Sequence, residues 1–196
     1  MKNNKNIRLG IICLAIVSLA FTSCNIGGLE LQQDAKYNYS PIKLTMDMTA
    51  YQFIESRKNN DMSLLYLAIN KAGYRDSFEV QNRTYIVLND IAFTSYLTNK
   101  KFANISTMSK QDIVKMLNQY IIKGKYLVQS LTTKSTKVQT LDPTLQLGLA
   151  VLVSSFGDQA KYRAYFTLWG STSTRLFVTT NLQPTNGVIH VTDSPL

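Results

Sequence analysis

The chain has 196 residues, of which 21 are Lys or Arg and 12 are Asp or Glu, giving a net charge of +9. This length predicts one domain with a short appendage. The basic residues are scattered, so the sequence lacks the clustered basic stripe of nucleic-acid-binding proteins, and we exclude nucleic acid as a partner.

The first 23 residues have the pattern of a secretory signal. Three basic residues precede a stretch, residues 9–21, that is apolar apart from Gly10 and Ser18. A stretch of about 13 residues is too short to span a membrane, so the pattern favours an export signal over a transmembrane helix. Removal of residues 1–23 leaves 18 basic and 12 acidic residues, a net charge of +6.

The end of this segment resembles the lipobox of bacterial lipoproteins. Phe21-Thr22-Ser23-Cys24 places a small residue before a Cys, which in such proteins is lipidated and becomes the new N-terminus. The resemblance implies a palmitate-bearing membrane anchor at Cys24, and Asn25 in place of an Asp favours the outer membrane. The alternative is ordinary cleavage near Ser23, with Cys24 as an unpaired thiol. In both cases the processed chain has one Cys and no internal disulfide.

Two amphipathic helices are predicted after a polar tether of residues 24–44. The first begins at about Asp47. The second has Asp61 as its N-cap, apolar residues at helical spacing and Gly73 as its C-terminal cap. Both patterns are typical of helices that pack on a core.

A strand, a short helix and a longer helix follow. The β-rich run at residues 84–88 turns through Asn89, a suitable N-cap, into the short helix. Ser109 begins the longer helix, because Asp112 completes an approximate capping box, and this helix ends at Gly124.

The second half of the chain is rich in strands. Turn signals separate candidate strands at residues 137–141, 145–155, 162–169, 175–180 and 188–193. Helices followed by strands predict an α+β fold, in which the helices of the first half pack on a β-rich wedge or sandwich in the second half.

Three stretches in this order resemble the conserved segments of the fasciclin-like (FAS1) domain. Residues 186–193 match its closing motif, Asn-Gly-hydrophobic-hydrophobic-His-hydrophobic-hydrophobic-Asp, except at Thr192. Residues 84–93 align without gaps to its first conserved segment and share Thr84 and Phe93 with it. The resemblance implies a FAS1-like α+β fold.

The third stretch, residues 117–126, resembles the central segment of the family, but Gln119-Tyr120 stands where the family has a Tyr-His pair. This region is implicated in integrin-type adhesion in some animal members, so we do not transfer that activity. One copy of each motif implies a single FAS1-like domain over residues 45–196. The resemblance implies structural roles for the matching residues, which are Thr84, Phe93, Asn186, Gly187, His190 and Asp193.

The sequence lacks the residues that enzymes and metal sites need. His190 is the only histidine, and the resemblance implies a structural role for it. One Cys and one His are too few for a zinc site, and the carboxylates are dispersed rather than clustered as calcium requires. We therefore expect no catalytic residue, no metal and no cofactor, and we predict that the protein is not an enzyme.

A strip of aromatic and basic side chains is predicted along the strand at residues 162–169. Alternation places Arg163, Tyr165 and Trp169 on one side of this strand. If that side is exposed, it suits sugar rings or a protein partner; if helices cover it, it belongs to the core.

These observations predict a cell-envelope lipoprotein, attached to the outer membrane through its N-terminal lipid. Its FAS1-like domain is expected to act as a non-catalytic adhesion or binding module for a protein or glycan. The alternative is a structural subunit of an outer-membrane or periplasmic protein complex.

Overall fold

The computed structural model describes residues 45–156 and 159–196. The predicted signal peptide (1–23), the lipidation site Cys24 and the predicted tether (24–44) lie outside the described residues. The helices of the described part are α1 (Ala50–Ser56), α2 (Ser63–Ala72), α3 (Asp90–Asn99) and α4 (Lys110–Tyr120), with 3-10 turns at Arg75–Phe78, Ile105–Thr107 and Val128–Ser130.

Helix α1 begins three residues later than the sequence predicts. Thr49 and Gln52 form a capping box, in which the side chain of each accepts the backbone N–H of the other. This reciprocal pair satisfies two donors at the helix start, so α1 begins at Ala50 rather than at Asp47.

Three of the predicted caps are confirmed. Asn89 caps α3 by accepting the N–H of Ala92 at 2.9 Å. Ser109 caps α4 by accepting the N–H of Asp112 at 3.1 Å. Gly73 ends α2 in the left-handed conformation, with a φ of 68°, which favours glycine.

The predicted cap of α2 is wrong. Asp61 does not cap this helix but pairs with Arg57, at 2.7 Å. The carboxylate of Asp90 takes its place, accepting the N–H of Leu64 at 2.9 Å and the hydroxyl of Ser63 at 2.7 Å. The cap is supplied by the first residue of α3, which is distant in sequence.

Helix α4 ends at Tyr120 and not at Gly124. The next residues, Ile121–Lys123, continue directly as a strand. Ile121 and Ile122 are β-branched and buried, and their pairing with a neighbouring strand gives them a better environment than a further helical turn.

The strands are β1 (Arg83–Leu88), β2 (Ile121–Lys123), β3 (Thr136–Gln139), β4 (Gln146–Phe156), β5 (Gln159–Leu168), β6 (Arg175–Leu182) and β7 (Gly187–Thr192). They form one sheet in the order β2-β1-β7-β6-β5-β4-β3. Strands β1 and β7 are parallel, whereas the other neighbours are antiparallel. The strands predicted in the second half are confirmed, and no boundary is shifted by more than three residues.

Strand β7 is the centre of the molecule. It lies between β1 and β6, and all six of its residues are buried. Its polar members therefore require internal hydrogen-bond partners. Helices α1, α3 and α4 contact β1 or β7. The hydrophobic core includes residues from the first helix, such as Ala50, to the last strand, such as Val191. The predicted α+β fold is confirmed, with helices in the first half packed on a β-rich second half.

Candidate binding surface

The predicted aromatic strip lies on the β4–β5 ladder. The two strands pair antiparallel, with Ala150 opposite Tyr165 and Leu152 opposite Arg163. Because side chains alternate across a strand, these four residues share one face of the sheet. The other face carries Phe166, which belongs to the hydrophobic core.

The strip is only partly exposed. Arg163 is exposed, Tyr165 is half-buried and Trp169 is 45% exposed, whereas Thr167 between them is buried. The Thr167 hydroxyl lies 2.9 Å from the carbonyl oxygen of Ser173, and this contact holds the loop after β5 against the end of the strand. The structure therefore keeps Tyr165 and Trp169 together around this loop and leaves Arg163 apart from them.

Tyr165 and Trp169 border a groove of about 560 Å³ at the end of β5. The remaining lining residues are small, and most carry hydroxyl groups: Ser135, Thr167, Gly170, Ser171, Thr172 and Thr174. Aromatic rings beside hydroxyl groups offer a ligand both apolar area and hydrogen-bonding groups. This composition suits a sugar ring or a peptide segment.

Lys137 adds a positive charge beside the groove. Its ammonium lies 5.3 Å from the centroid of the Trp169 ring, within the range of a cation–π interaction. The register places Lys137 opposite Gly148 on β4, and Gly148 opposite Thr167 on β5. The sequence pattern did not identify Lys137, because its position beside Trp169 depends on the register of three strands.

On the opposite face of β5, only the residues in the middle of the strand are buried in the core. Ala164 and Phe166 are buried, but Tyr162 is 67% exposed and pairs with Val153, which is also exposed. Strands β3 and β6 pair with this hairpin only at its base. We call the described two-stranded remainder, residues 152–156 and 159–163, the hairpin arm.

His190 is enclosed by the fold and has no exposed surface. Its Nε2 donates to the carbonyl oxygen of Tyr126 at 2.8 Å, and its Nδ1 accepts the N–H of Asn181 at 3.3 Å. The ring stacks on Phe177, with the centroids 4.8 Å apart. Burial lowers the pKa of His190 to about 4, and the bond to Tyr126 opposes this shift. Both nitrogens are occupied, so the imidazole cannot reach a substrate.

Asn186 joins three segments of the chain inside the core. Its Oδ1 accepts the N–H of Ala50 at 2.9 Å, and its Nδ2 donates to the carbonyl oxygen of Phe78 at 2.8 Å. The hydroxyl of Tyr85 lies 3.1 Å from the same Nδ2, and burial raises the pKa of this tyrosine. A buried amide with these partners satisfies backbone groups that water cannot reach.

The hydroxyl of Thr84, a further motif residue, has two partners next to β2. It donates to the carbonyl oxygen of Gly124 at 2.8 Å and accepts the N–H of Tyr126 at 2.9 Å. Since Tyr126 also receives the bond from His190, Thr84 and His190 hold the same segment. This segment is the turn that leads away from β2.

The remaining motif residues also lie away from the groove. Phe93 is fully buried on α3, and Gly187 lies against the Arg83 carbonyl oxygen, which an added Cβ would overlap. Asp193 is half-buried and accepts the hydroxyl of Ser194 at 3.0 Å. The groove and the motif residues are thus separate parts of the fold.

Two properties of the described residues bear on chemistry and membrane contact. Residues 45–156 and 159–196 contain no group of three or more His, Cys, Asp or Glu side chains that could hold a metal ion. No helix in the same ranges has the length and hydropathy to cross a membrane.

Comparisons with known proteins found a family model and a solved structure that resemble this chain. The family model described as the fasciclin domain matches residues 60–196. A solved FAS1 domain pair from the insect cell adhesion molecule fasciclin I is similar at 16% identity, with a TM-score of 0.47; the match covers 76% of this chain and 45% of that one. A comparison with curated proteins finds no match.

The described residues form an α+β fold in which helices pack on a mixed seven-stranded sheet. The family match covers most of the chain and includes both the first and the closing motif. The chain belongs to the fasciclin (FAS1) domain family.

Proposed function

We propose that this FAS1 domain is a non-catalytic adhesion or binding module and that its partner, a protein or a glycan, binds at the Tyr165–Trp169 groove. The observation that carries the proposal is Trp169, the only tryptophan of the chain, which is 45% exposed at the edge of a groove rather than packed in the core. Tryptophan is enriched among the residues that dominate binding energy.

The chemistry around Trp169 supports a binding role rather than catalysis. The indole offers a flat apolar surface, Lys137 a positive charge, and the loop at residues 171–174 hydroxyl groups. His190, the one imidazole, is enclosed and has both nitrogens occupied. A general base must reach its substrate, which His190 cannot do.

The proposed test compares two exposed aromatic residues. Trp169→Ala and Tyr162→Ala each remove one exposed ring, but Tyr162 lies on the opposite face of β5, on the hairpin arm. The purified proteins are screened on a glycan array and on immobilised extracellular matrix proteins, after urea unfolding has confirmed that both are folded. We expect Trp169→Ala to lose the signals that the unchanged protein gives and Tyr162→Ala to retain them. If Trp169→Ala retained every signal, the proposal that the partner binds at this groove would be wrong.

We further propose that the domain is tethered to the cell envelope through a lipid on Cys24, with the outer membrane as its location. The support is the signal-like segment 1–23 and the lipobox-like sequence that ends at Cys24. A Cys24→Ala protein is expected to leave the membrane fraction, and its persistence there would contradict the anchor.

Protease treatment of intact cells then reports the orientation: cleavage indicates an outward-facing domain, and protection until lysis indicates a periplasmic one.

A second candidate function is a structural subunit of an envelope protein complex. The observation that favours it is the hairpin arm, where Leu152, Val153 and Tyr162 are exposed. Exposed apolar area on a two-stranded arm is typical of a protein contact. Co-purification of envelope proteins with Tyr162→Ala and with Trp169→Ala distinguishes the two functions. If only Tyr162→Ala loses a defined set of these proteins, the role as a structural subunit is favoured.

A further inference from the structure

A second concavity, remote in sequence from the Tyr165–Trp169 groove, lies between α4 and the turn that follows β3. It has a volume of about 470 Å³, within the range of small-molecule sites. One wall is a face of α4 and the other is the turn Asp142-Pro143-Thr144. We call it the α4 cavity.

The turn wall is rigid before any ligand binds. The Asp142 carboxylate accepts the N–H of Thr144 at 2.9 Å and its hydroxyl at 2.6 Å. The Asp142 N–H donates to the carbonyl oxygen of Asn118 at 3.1 Å, and this bond ties the turn to α4. A wall held in this way loses little conformational freedom on binding, which favours affinity.

The α4 wall combines an apolar strip with positive charges. Val114 and Pro143 lie in the lining, and most of the exposed area of the cavity is apolar. Lys110 and Lys115 flank this strip, and among residues 45–156 and 159–196 neither ammonium has a carboxylate within salt-bridge distance. Both ammonium groups can therefore pair with an anion.

Two polar groups of the lining sharpen the choice of ligand. The Asn118 Oδ1 accepts the hydroxyl of Tyr74, and within the described residues its Nδ2 donates to no protein atom, so this amide can donate to a ligand. The Asp142 carboxylate accepts hydrogen bonds from Thr144 and from the Gln119 amide, and these hydrogen bonds lower its pKa. The free groups are donors and cations, so they select an acceptor with negative charge.

We propose that the α4 cavity binds a small organic acid with a compact apolar body. The apolar body contacts Val114 and Pro143, and the carboxylate is held by Lys110, Lys115 and the Asn118 amide. The two concavities share no lining residue, and Thr144 of the α4 cavity and Trp169 of the groove both line a third depression. The α4 cavity would give the domain a ligand besides its adhesion partner.

The test uses phenylacetate and its neutral analogue phenylacetamide as probes, followed by two-dimensional NMR of the ¹⁵N-labelled protein. Phenylacetate is expected to shift the backbone amides of Val114, Asn118 and Thr144 saturably, with a dissociation constant on the order of millimolar for a ligand of this size. Phenylacetamide is expected to bind roughly fivefold more weakly, since it forms no ion pair with the lysines.

Matched variants test whether Lys110 and Lys115 hold the carboxylate of the probe. The double variant Lys110→Gln/Lys115→Gln should weaken phenylacetate binding roughly fivefold, whereas Lys123→Gln, an exposed lysine outside the cavity, should leave it unchanged. Val114→Asn should also weaken binding, and the same spectra verify that each variant is folded. Three results would overturn the proposal: no saturable shift at the three amides, equal binding of both probes, or unaltered binding by the double lysine variant.

Discussion

At the scale of single residues, the packing of His190 determines its protonation state. The ring is fully buried, stacks on Phe177 and gives both nitrogens to backbone groups. Protonation would place a charge in the core, away from water, and this desolvation is the main cause of the lowered pKa. Protonation of Nδ1 would also break the hydrogen bond that the Asn181 N–H donates to it.

This lowered pKa predicts an acid-sensitive fold. The pKa of His190 is about 4 in the folded state and about 6.5 in the unfolded chain, so the unfolded chain binds the proton first as the pH falls. Stability is complete above pH 6.5 and is lost as the pH falls toward 4. We expect the free energy of unfolding to drop by about 2 kcal/mol between pH 7.5 and pH 5.

Urea unfolding at several pH values measures this drop. Because the chain has one histidine, His190→Gln removes the only side chain with an ordinary pKa in this window and should flatten the dependence. An unchanged midpoint for the natural sequence between pH 7.5 and pH 5 would show that the imidazole titrates normally.

At the scale of secondary-structure elements, the start of α2 gives a test of two neighbouring carboxylates. Asp90 accepts two hydrogen bonds from the first turn of α2, whereas Asp61 forms a half-exposed ion pair with Arg57. Asp90→Ala should cost about 1–2 kcal/mol of unfolding free energy, as loss of a cap does. Asp61→Ala should cost about 0.5 kcal/mol or less, as surface ion pairs contribute little. Denaturant midpoints of the two variants measure these losses, and equal losses would contradict the assignment of Asp90 as the cap of α2.

The pairing of β1 with β7 depends on a second local feature, the absence of a side chain at Gly187. Gly187→Ala would drive a Cβ into the Arg83 carbonyl oxygen, and backbone cannot yield as a flexible side chain can. We expect a loss of about 3 kcal/mol or more in unfolding free energy. Gly73→Ala is the comparison: its Cβ meets open space, and only the left-handed φ of 68° costs about 1–2 kcal/mol. Equal unfolding midpoints for the two variants would argue against the close β1–β7 contact.

Local signals explain what the sequence predicted about these elements, and long-range contacts explain what it missed. Asn89 and Ser109 cap helices that begin at the next residue, so their roles are readable from short spacing. Asp90 caps a helix 26 residues away from it, at Leu64. No window of sequence around Asp61 distinguishes it from the true cap, because the choice depends on how α2 and α3 pack.

At the scale of the whole molecule, alternation along β5 was enough to put Tyr165 and Trp169 on one face. It could not reveal that Thr167 between them is buried under a loop or that Lys137 lies over the indole. The register of β3, β4 and β5 places Lys137, and the hydrogen bond from Thr167 to Ser173 holds the loop. The α4 cavity could not be predicted from the sequence either, since its two walls are joined by long-range hydrogen bonds from Asp142 to Asn118 and from Gln119 to Asp142.

The extent of the domain also belongs to this scale. The family model begins at residue 60, whereas the described fold begins at residue 45. Residues 46 and 48 form backbone hydrogen bonds with Gln183 and Thr185, each of 2.9 Å, and the Ala50 N–H binds Asn186. Helix α1 also buries Tyr51 and Ile54. These contacts make residues 45–59 part of the core.

A chain of residues 60–196 should therefore fail to fold stably, although it contains the entire family match. It loses two large buried side chains and leaves the Asn186 Oδ1 without the Ala50 N–H that donates to it, a cost of about 5 kcal/mol or more. Domains of this size are stable by about 5–15 kcal/mol, so little or no stability remains. Circular dichroism with urea titration should show cooperative unfolding for residues 45–196 and a broad or absent transition for residues 60–196. If the shorter chain unfolded cooperatively at a similar midpoint, α1 would be an accessory to the domain and the buried bond between Ala50 and Asn186 would be dispensable.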